Sequence, residues 1–109
     1  MKNLLRKATV AVLVIGLMLP AFAAAADTGS ELYASKGCAA CHGKTGGGDT
    51  AMGKNLKLRE LGSADVQKQY DKELKEIITK GKGKMPAYGG KLSDTQIDAL
   101  VKYIRSLKK

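Results

Sequence analysis

Gly37-Cys38-Ala39-Ala40-Cys41-His42-Gly43 holds both cysteines and the single histidine of a 109-residue chain. If the segment is helical, its two thiols lie about one turn apart, and the next residue carries an imidazole out of the same turn. Three other uses of these side chains fail on the rest of the sequence. A structural zinc site needs four nitrogen or sulfur ligands, and two cysteines and one histidine fall short. A thioredoxin-like dithiol belongs beside a βαβ pattern, yet no alternating β-branched run is long enough to form a strand. A plain surface disulfide with a solvated histidine leaves unexplained the glycines that follow, at 43, 46, 47, 48 and 53.

The spacing C-x-x-C-H is the attachment signature of c-type haem. Both thiols can add to the two vinyl groups on one edge of a porphyrin. His42 is then carried under the ring, where an imidazole nitrogen can bind the iron. Since the chain has no second histidine, bis-histidine coordination within one chain is excluded. Methionine is the remaining strong candidate for the other axial position. Beyond residue 26 there are two, Met52 and Met85. Met85 precedes Pro86, which favours extended backbone and removes an amide that would need a partner beside an apolar ring. It also lies between two well-defined helices. Met52 lies in the glycine segment just after the attachment site, where a gap-filling role is expected. Met85 is therefore the expected distal ligand. A histidine and methionine pair raises the iron's reduction potential and fills both axial positions, which suits electron transfer and not catalysis.

The residues before this region read as a leader. Lys2, Arg6 and Lys7 precede an apolar stretch from Ala8 to Leu19, followed by Pro20 and the alanine-rich run from Ala21 to Ala26. That is the layout of a cleaved secretory signal peptide over 1–26. The rival is an uncleaved anchor, since 8–26 approaches the length of about 20 residues that spans a bilayer. A lipidated N-terminus is ill matched, because Cys38 stands far beyond the apolar stretch. The expected mature unit is therefore a single domain over 27–109, outside the reducing cytosol, with the periplasm as its destination.

Removing the leader takes away the only Phe, leaving Tyr33, Tyr70, Tyr88 and Tyr103 as aromatics. A domain this small buries only about 60% of its unfolded surface and commonly needs a staple. A covalent haem would supply the missing centre, and the chain without it is expected to be largely unfolded. The leader also takes three of the 19 basic residues, so 16 face 10 acids and the mature charge is +6. Without aromatic stacking platforms or a basic helix stripe, this surface favours acidic protein partners over nucleic acid.

The helices follow from caps and periodicity. Thr28 with Glu31 forms a capping box that opens a helix through Leu32, Tyr33 and Lys36 towards Cys38. The glycine-rich stretch 43–53 reads as a loop passing close to something bulky. Ser63 is placed to cap a segment reaching Tyr70. Asp71 restarts a helix whose Leu74, Ile77 and Ile78 share a face, with Gly81 as its stop. Residues 82–92, with Gly83, Pro86, Gly89 and Gly90, form a second loop. Ser93 and Gln96 then open a last helix whose Ile97, Leu100, Val101, Ile104 and Leu107 make one apolar stripe, with Tyr103 at its flank. The class is all-α, three to four helices around the cofactor.

With C-A-A-C-H-G at 38–43, G-K-G-K-M-P-A-Y at 81–88 and L-S-D-T-Q-I-D-A-L-V-K-Y-I-R-S-L at 92–107, the chain resembles the class I monohaem cytochromes c, especially the short bacterial periplasmic ones. The resemblance covers 28–109. It implies the cytochrome c fold, thioethers at Cys38 and Cys41, His42 as proximal and Met85 as distal ligand, and first and last helices crossing near right angles. That crossing sets the Leu32 and Tyr33 face against Leu100, Tyr103 and Ile104. Relatives often carry proline where this chain has Ala51, and a carbonyl in that region commonly orients the proximal histidine. The implied function is a secreted one-electron carrier between larger redox proteins, with no small-molecule substrate and no enzymatic activity. It would meet the membrane only through partner complexes unless the leader is retained. Lys44, Lys82, Lys84 and Lys91 are the expected frame of the exposed haem edge. Two other roles need different features: a gas-binding or peroxidase-like protein needs an open axial site, and a fixed respiratory subunit needs a retained leader.

Overall fold

The computed structural model describes residues 28–109, and the expected leader, 1–26, lies outside them. Six helices follow in order: α1 (Gly29–Ser35), α2 (Cys38–His42), α3 (Ala51–Leu56), α4 (Ala64–Gln67), α5 (Asp71–Lys80) and α6 (Asp94–Ser106). No strand occurs among the described residues, only an isolated bridge between Lys82 and Met85. The all-α class therefore holds, with more helices than the three or four expected. The cysteine segment forms its own helix, and α3 occupies part of what reads in the sequence as a loop.

Both capping boxes form. The Thr28 hydroxyl accepts from the Glu31 amide (3.2 Å), and the Thr28 amide donates back to the Glu31 carboxylate (3.4 Å). At α6 the Gln96 amide donates to Ser93 Oγ (3.1 Å) and the Ser93 amide to the Gln96 side chain (2.9 Å). Ser63 does stand at the N-cap of α4, but its buried hydroxyl makes no hydrogen bond, and the helix stops at Gln67, short of Tyr70.

Helices α1 and α6 form the frame. Gly29 lies so close to α6 that a Cβ there would sit 2.2 Å from the Ala99 carbonyl oxygen and 2.7 Å from Tyr103 Cβ. Only a residue without a side chain allows this approach. One turn on, Leu32 is fully buried and Tyr33 nearly so, in one core with Leu100 and Ile104. The Tyr33 and Tyr103 rings pack tilted at 49° with centroids 5.0 Å apart, within the favourable range for aromatic pairs. Helix α5 adds Leu74 and Ile78 to that core. Arg105 of α6 ties down the corner between α4 and α5, donating to the Asp71 carboxylate (2.8 Å), the Gln67 carbonyl (2.8 Å) and the Gln69 carbonyl.

Candidate functional site

Helix α2 is too short to sustain itself, since five residues give hardly one internal turn. Its carbonyls at the C-terminal end are taken one by one. The Gly43 amide donates to Ala39 (2.9 Å), the Thr50 hydroxyl to Cys41 (2.7 Å), the Gly48 amide to His42 (2.7 Å), and Tyr33 Oη to Gly43 (2.6 Å). Three of the orphan acceptors at the helix end, the carbonyls of Ala39, Cys41 and His42, are thus satisfied, as is that of the cap residue Gly43. Thr50 serves twice, because its hydroxyl also accepts from the Gly53 amide (2.8 Å) and so caps α3. Gly53 completes the joint: a Cβ there would meet the carbonyl oxygens of Cys41 and Gly48 at 2.6 Å each. At Gly53 the glycine segment closes against backbone, whereas Gly46 lies against the Leu107 and Leu61 side chains. Thr50 went unnoticed in the sequence, although a threonine just before Ala51-Met52 is an ordinary N-cap signal.

Beside α2 lie two adjoining cavities of about 290 and 360 Å³, each in the size range of cofactor sites. Cys38, His42, Leu58, Ile77, Lys82 and Met85 line both, so they are two halves of one crevice. Cys41 lines the second half. The walls of the first half are mainly apolar: Leu61, Val66, Leu74, Ile78, Leu100 and Ile104. The structure therefore brings Cys38, Cys41, His42 and Met85 to one apolar crevice. Met52 lines neither half and is 48% exposed on α3.

The donor set fits a covalent haem. Both cysteines are unbonded, and burial pushes the Cys38 thiol up. Burial also lowers the His42 pKa, which keeps the imidazole neutral, the form that binds metal. Its Nδ1 is buried without a hydrogen-bond partner, so the orienting carbonyl expected near Ala51 is not engaged. Met85 is held in a tight turn, its amide donating to the Lys82 carbonyl (2.9 Å) and the Lys82 amide to its own carbonyl (3.1 Å).

Of the expected lysine frame, Lys82 lines both halves, Lys84 lines the second, and Lys91 lies with Nζ 5.7 Å from the Tyr88 ring centroid. Lys44 is exposed and lines neither. Lys57 and Arg59, not singled out in the sequence, line the first half. Lys57 has φ of 55°, the one non-glycine residue with positive φ among those described, and this reversal ends α3 next to Leu58 and Arg59.

Comparison with known proteins shows which family the chain resembles. Residues 24–104 match the family model described as cytochrome c oxidase, cbb3-type, subunit III. Cytochrome c6 of Picosynechococcus sp. is 40% identical, with 95% of this chain and 92% of that protein covered. Cytochrome c6 of Porphyra purpurea is 36% identical over 85% of this chain and 81% of its own. The cbb3-type cytochrome c oxidase subunit CcoP of Helicobacter pylori is 39% identical across 75% of this chain, which spans only 28% of that subunit. Among solved structures, the KustC0563 c-type cytochrome superposes with a TM-score of 0.69 at 33% identity, covering 75% of this chain and 99% of that one.

Proposed function

The chain belongs to the class I c-type cytochromes and is an electron-transfer protein with covalently bound haem c, not an enzyme; from that premise we propose that Cys38 and Cys41 carry the haem as thioethers, with His42 and Met85 as axial ligands. The observation that carries this reading is the convergence of all four side chains on one apolar crevice. When bound, the haem supplies a single iron that gains and releases one electron. The polypeptide does the rest. Helix α2 holds the two sulfurs and the imidazole in one fixed unit, because its terminal carbonyls are anchored by Tyr33, Gly48 and Thr50. The Lys82–Met85 turn presents the thioether from the other loop. Leucine and isoleucine side chains give the crevice a largely apolar wall. A haem held by His42 and Met85 together would be suited to exchanging electrons and poorly suited to binding a substrate.

The test is the visible spectrum of Met85→Ala beside the parent. Loss of the methionine-to-iron charge-transfer band is the expected result. An unchanged spectrum would move the assignment to another group.

Its electron donors and acceptors are redox proteins. Lys82 and Lys84 at the crevice, with Lys91 beside them, favour partners with acidic docking faces. Exchange rates with such a partner fall as salt rises; a flat salt dependence removes that role. The domain works in the periplasm after loss of the leader over 1–26, so intact mass should give a chain starting near Asp27 plus one haem. A mass that retains residues 1–26 would point instead to a tethered form.

A further inference from the structure

Met85 lies in the loop 81–92, and what fixes that loop to the cysteine helix is not obvious from its backbone. The reciprocal bonds between Lys82 and Met85 are internal to the loop and travel with it. The Tyr88 amide donates to Ile78 (3.0 Å) and the Gly89 amide to Thr79 (3.0 Å), which ties the loop to α5. The Tyr88 carbonyl accepts from Lys91 and Leu92 (2.9 Å each), within the same connection. One side-chain bond is different. Tyr88 Oη donates to the Lys36 carbonyl at 2.8 Å, across 52 positions of sequence. Lys36 caps the end of α1 two residues before Cys38. Among the described residues, no other hydrogen bond joins the loop to segment 36–43.

The site is built for this bond. The Lys36 carbonyl belongs to a helix end and lacks an intrahelical donor. Gly37 follows with φ of 89°, and even a Cβ there would stand 3.8 Å from Tyr88 Oη, so the hydroxyl rests against the turn into α2. Tyr88 is only 8% exposed, and Lys91 Nζ lies over its ring. Burial raises the hydroxyl's pKa, so it remains a donor through the neutral range.

We propose that Tyr88 is a positioning residue: its hydroxyl latches the methionine loop to the end of α1, two residues before Cys38, and sets how often Met85 leaves the iron. This rests on Met85 being the distal ligand. Tyr88 and Gly37 line the second half of the crevice, with Cys38 following one end of the latch and Met85 preceding the other. Without the hydroxyl, the loop keeps its internal bonds, its ties to α5 and the packing of the Tyr88 ring in the core, but loses its hydrogen bond to the end of α1.

The experiment compares haem-loaded parent with Tyr88→Phe, which keeps the ring and removes the donor. Imidazole is the probe, because it binds ferric haem only when the distal ligand has departed. Its affinity should rise about fivefold in Tyr88→Phe, the fold-change equivalent to one net hydrogen bond of about 1 kcal/mol. Hydrogen exchange gives the second reading: the Met85 and Tyr88 amides should exchange faster by a similar factor, with Leu100 in α6 unchanged. An unchanged imidazole affinity, or faster exchange everywhere alike, overturns the latch and leaves Tyr88 a packing residue. A parent that lacks the methionine charge-transfer band overturns the ligand assignment and the latch together. A parent that shows the band with an unaltered Tyr88→Phe overturns the latch alone.

Discussion

Thr50 is the residue whose removal most directly tests how the attachment helix is held. Its hydroxyl donates to the Cys41 carbonyl at 2.7 Å and accepts from the Gly53 amide at 2.8 Å. Thr50→Ala removes both bonds at once. Loss of the N-cap costs about 1 kcal/mol. Leaving the part-buried Cys41 carbonyl without its donor costs about 1 kcal/mol more. For a domain of this size each kcal/mol moves Tm by about 4–8 °C, so the haem-loaded variant should melt about 8–16 °C below the parent. Far-ultraviolet circular dichroism and haem absorbance, followed through the same thermal scan, measure it. Thr50→Ser keeps the oxygen and should recover most of the loss. A Thr50→Ala protein melting with the parent would refute the reasoning, because the joint between α2 and α3 would then be held by the close approach of Gly53 and not by the hydroxyl.

Two further outcomes follow from the frame. Gly29→Ala gains up to about 1 kcal/mol of helix propensity, but its methyl would sit 2.2 Å from the backbone oxygen of Ala99, and overpacking of about 1–3 kcal/mol or more outweighs that gain; denaturant unfolding that shows a stabilised variant would contradict the close crossing. Burial pushes the Tyr33 hydroxyl well above its ordinary value, so the folded state keeps a proton that the unfolded chain releases near pH 10. That contribution is complete below pH 10 and is lost as pH rises towards the folded value, by up to about 1.4 kcal/mol per pH unit. Urea melts between about pH 10 and 12 should therefore show a shallower decline in Tyr33→Phe, and equal slopes would remove the effect.

What could be read from residues alone was what local chemistry decides. Thr28 with Glu31, Ser93 with Gln96 and the stripe from Ile97 to Ile104 each state a helix in a few positions, and the structure has both capping boxes and the buried stripe. Cys38, Cys41 and His42 stand out by spacing and Met85 by the proline after it, and all four line the crevice. Helix α3 could not be read in the same way. Its central Gly53 disfavours helix, and what offsets this is tertiary: a place against Cys41 and Gly48 that admits no side chain. Lys57 and Arg59 reach the crevice through a backbone reversal at a lysine, a residue type that gives no signal for positive φ. Ser63 shows the converse, a residue in the right position whose hydroxyl finds no partner.

The meeting of α1 with α6 also governs when the chain becomes a protein. Leu32 and Tyr33 have their buried partners at Leu100, Tyr103 and Ile104, some seventy positions later. A nascent chain that has emerged only as far as the loop after α5 already contains Cys38, Cys41, His42 and Met85, yet still lacks α6 to cover its first helix. Closing so long a loop comes late and is slow, since its entropy cost precedes the contacts that reward it. The packing that covers α1 is therefore complete only once α6, the last helix in the chain, is present.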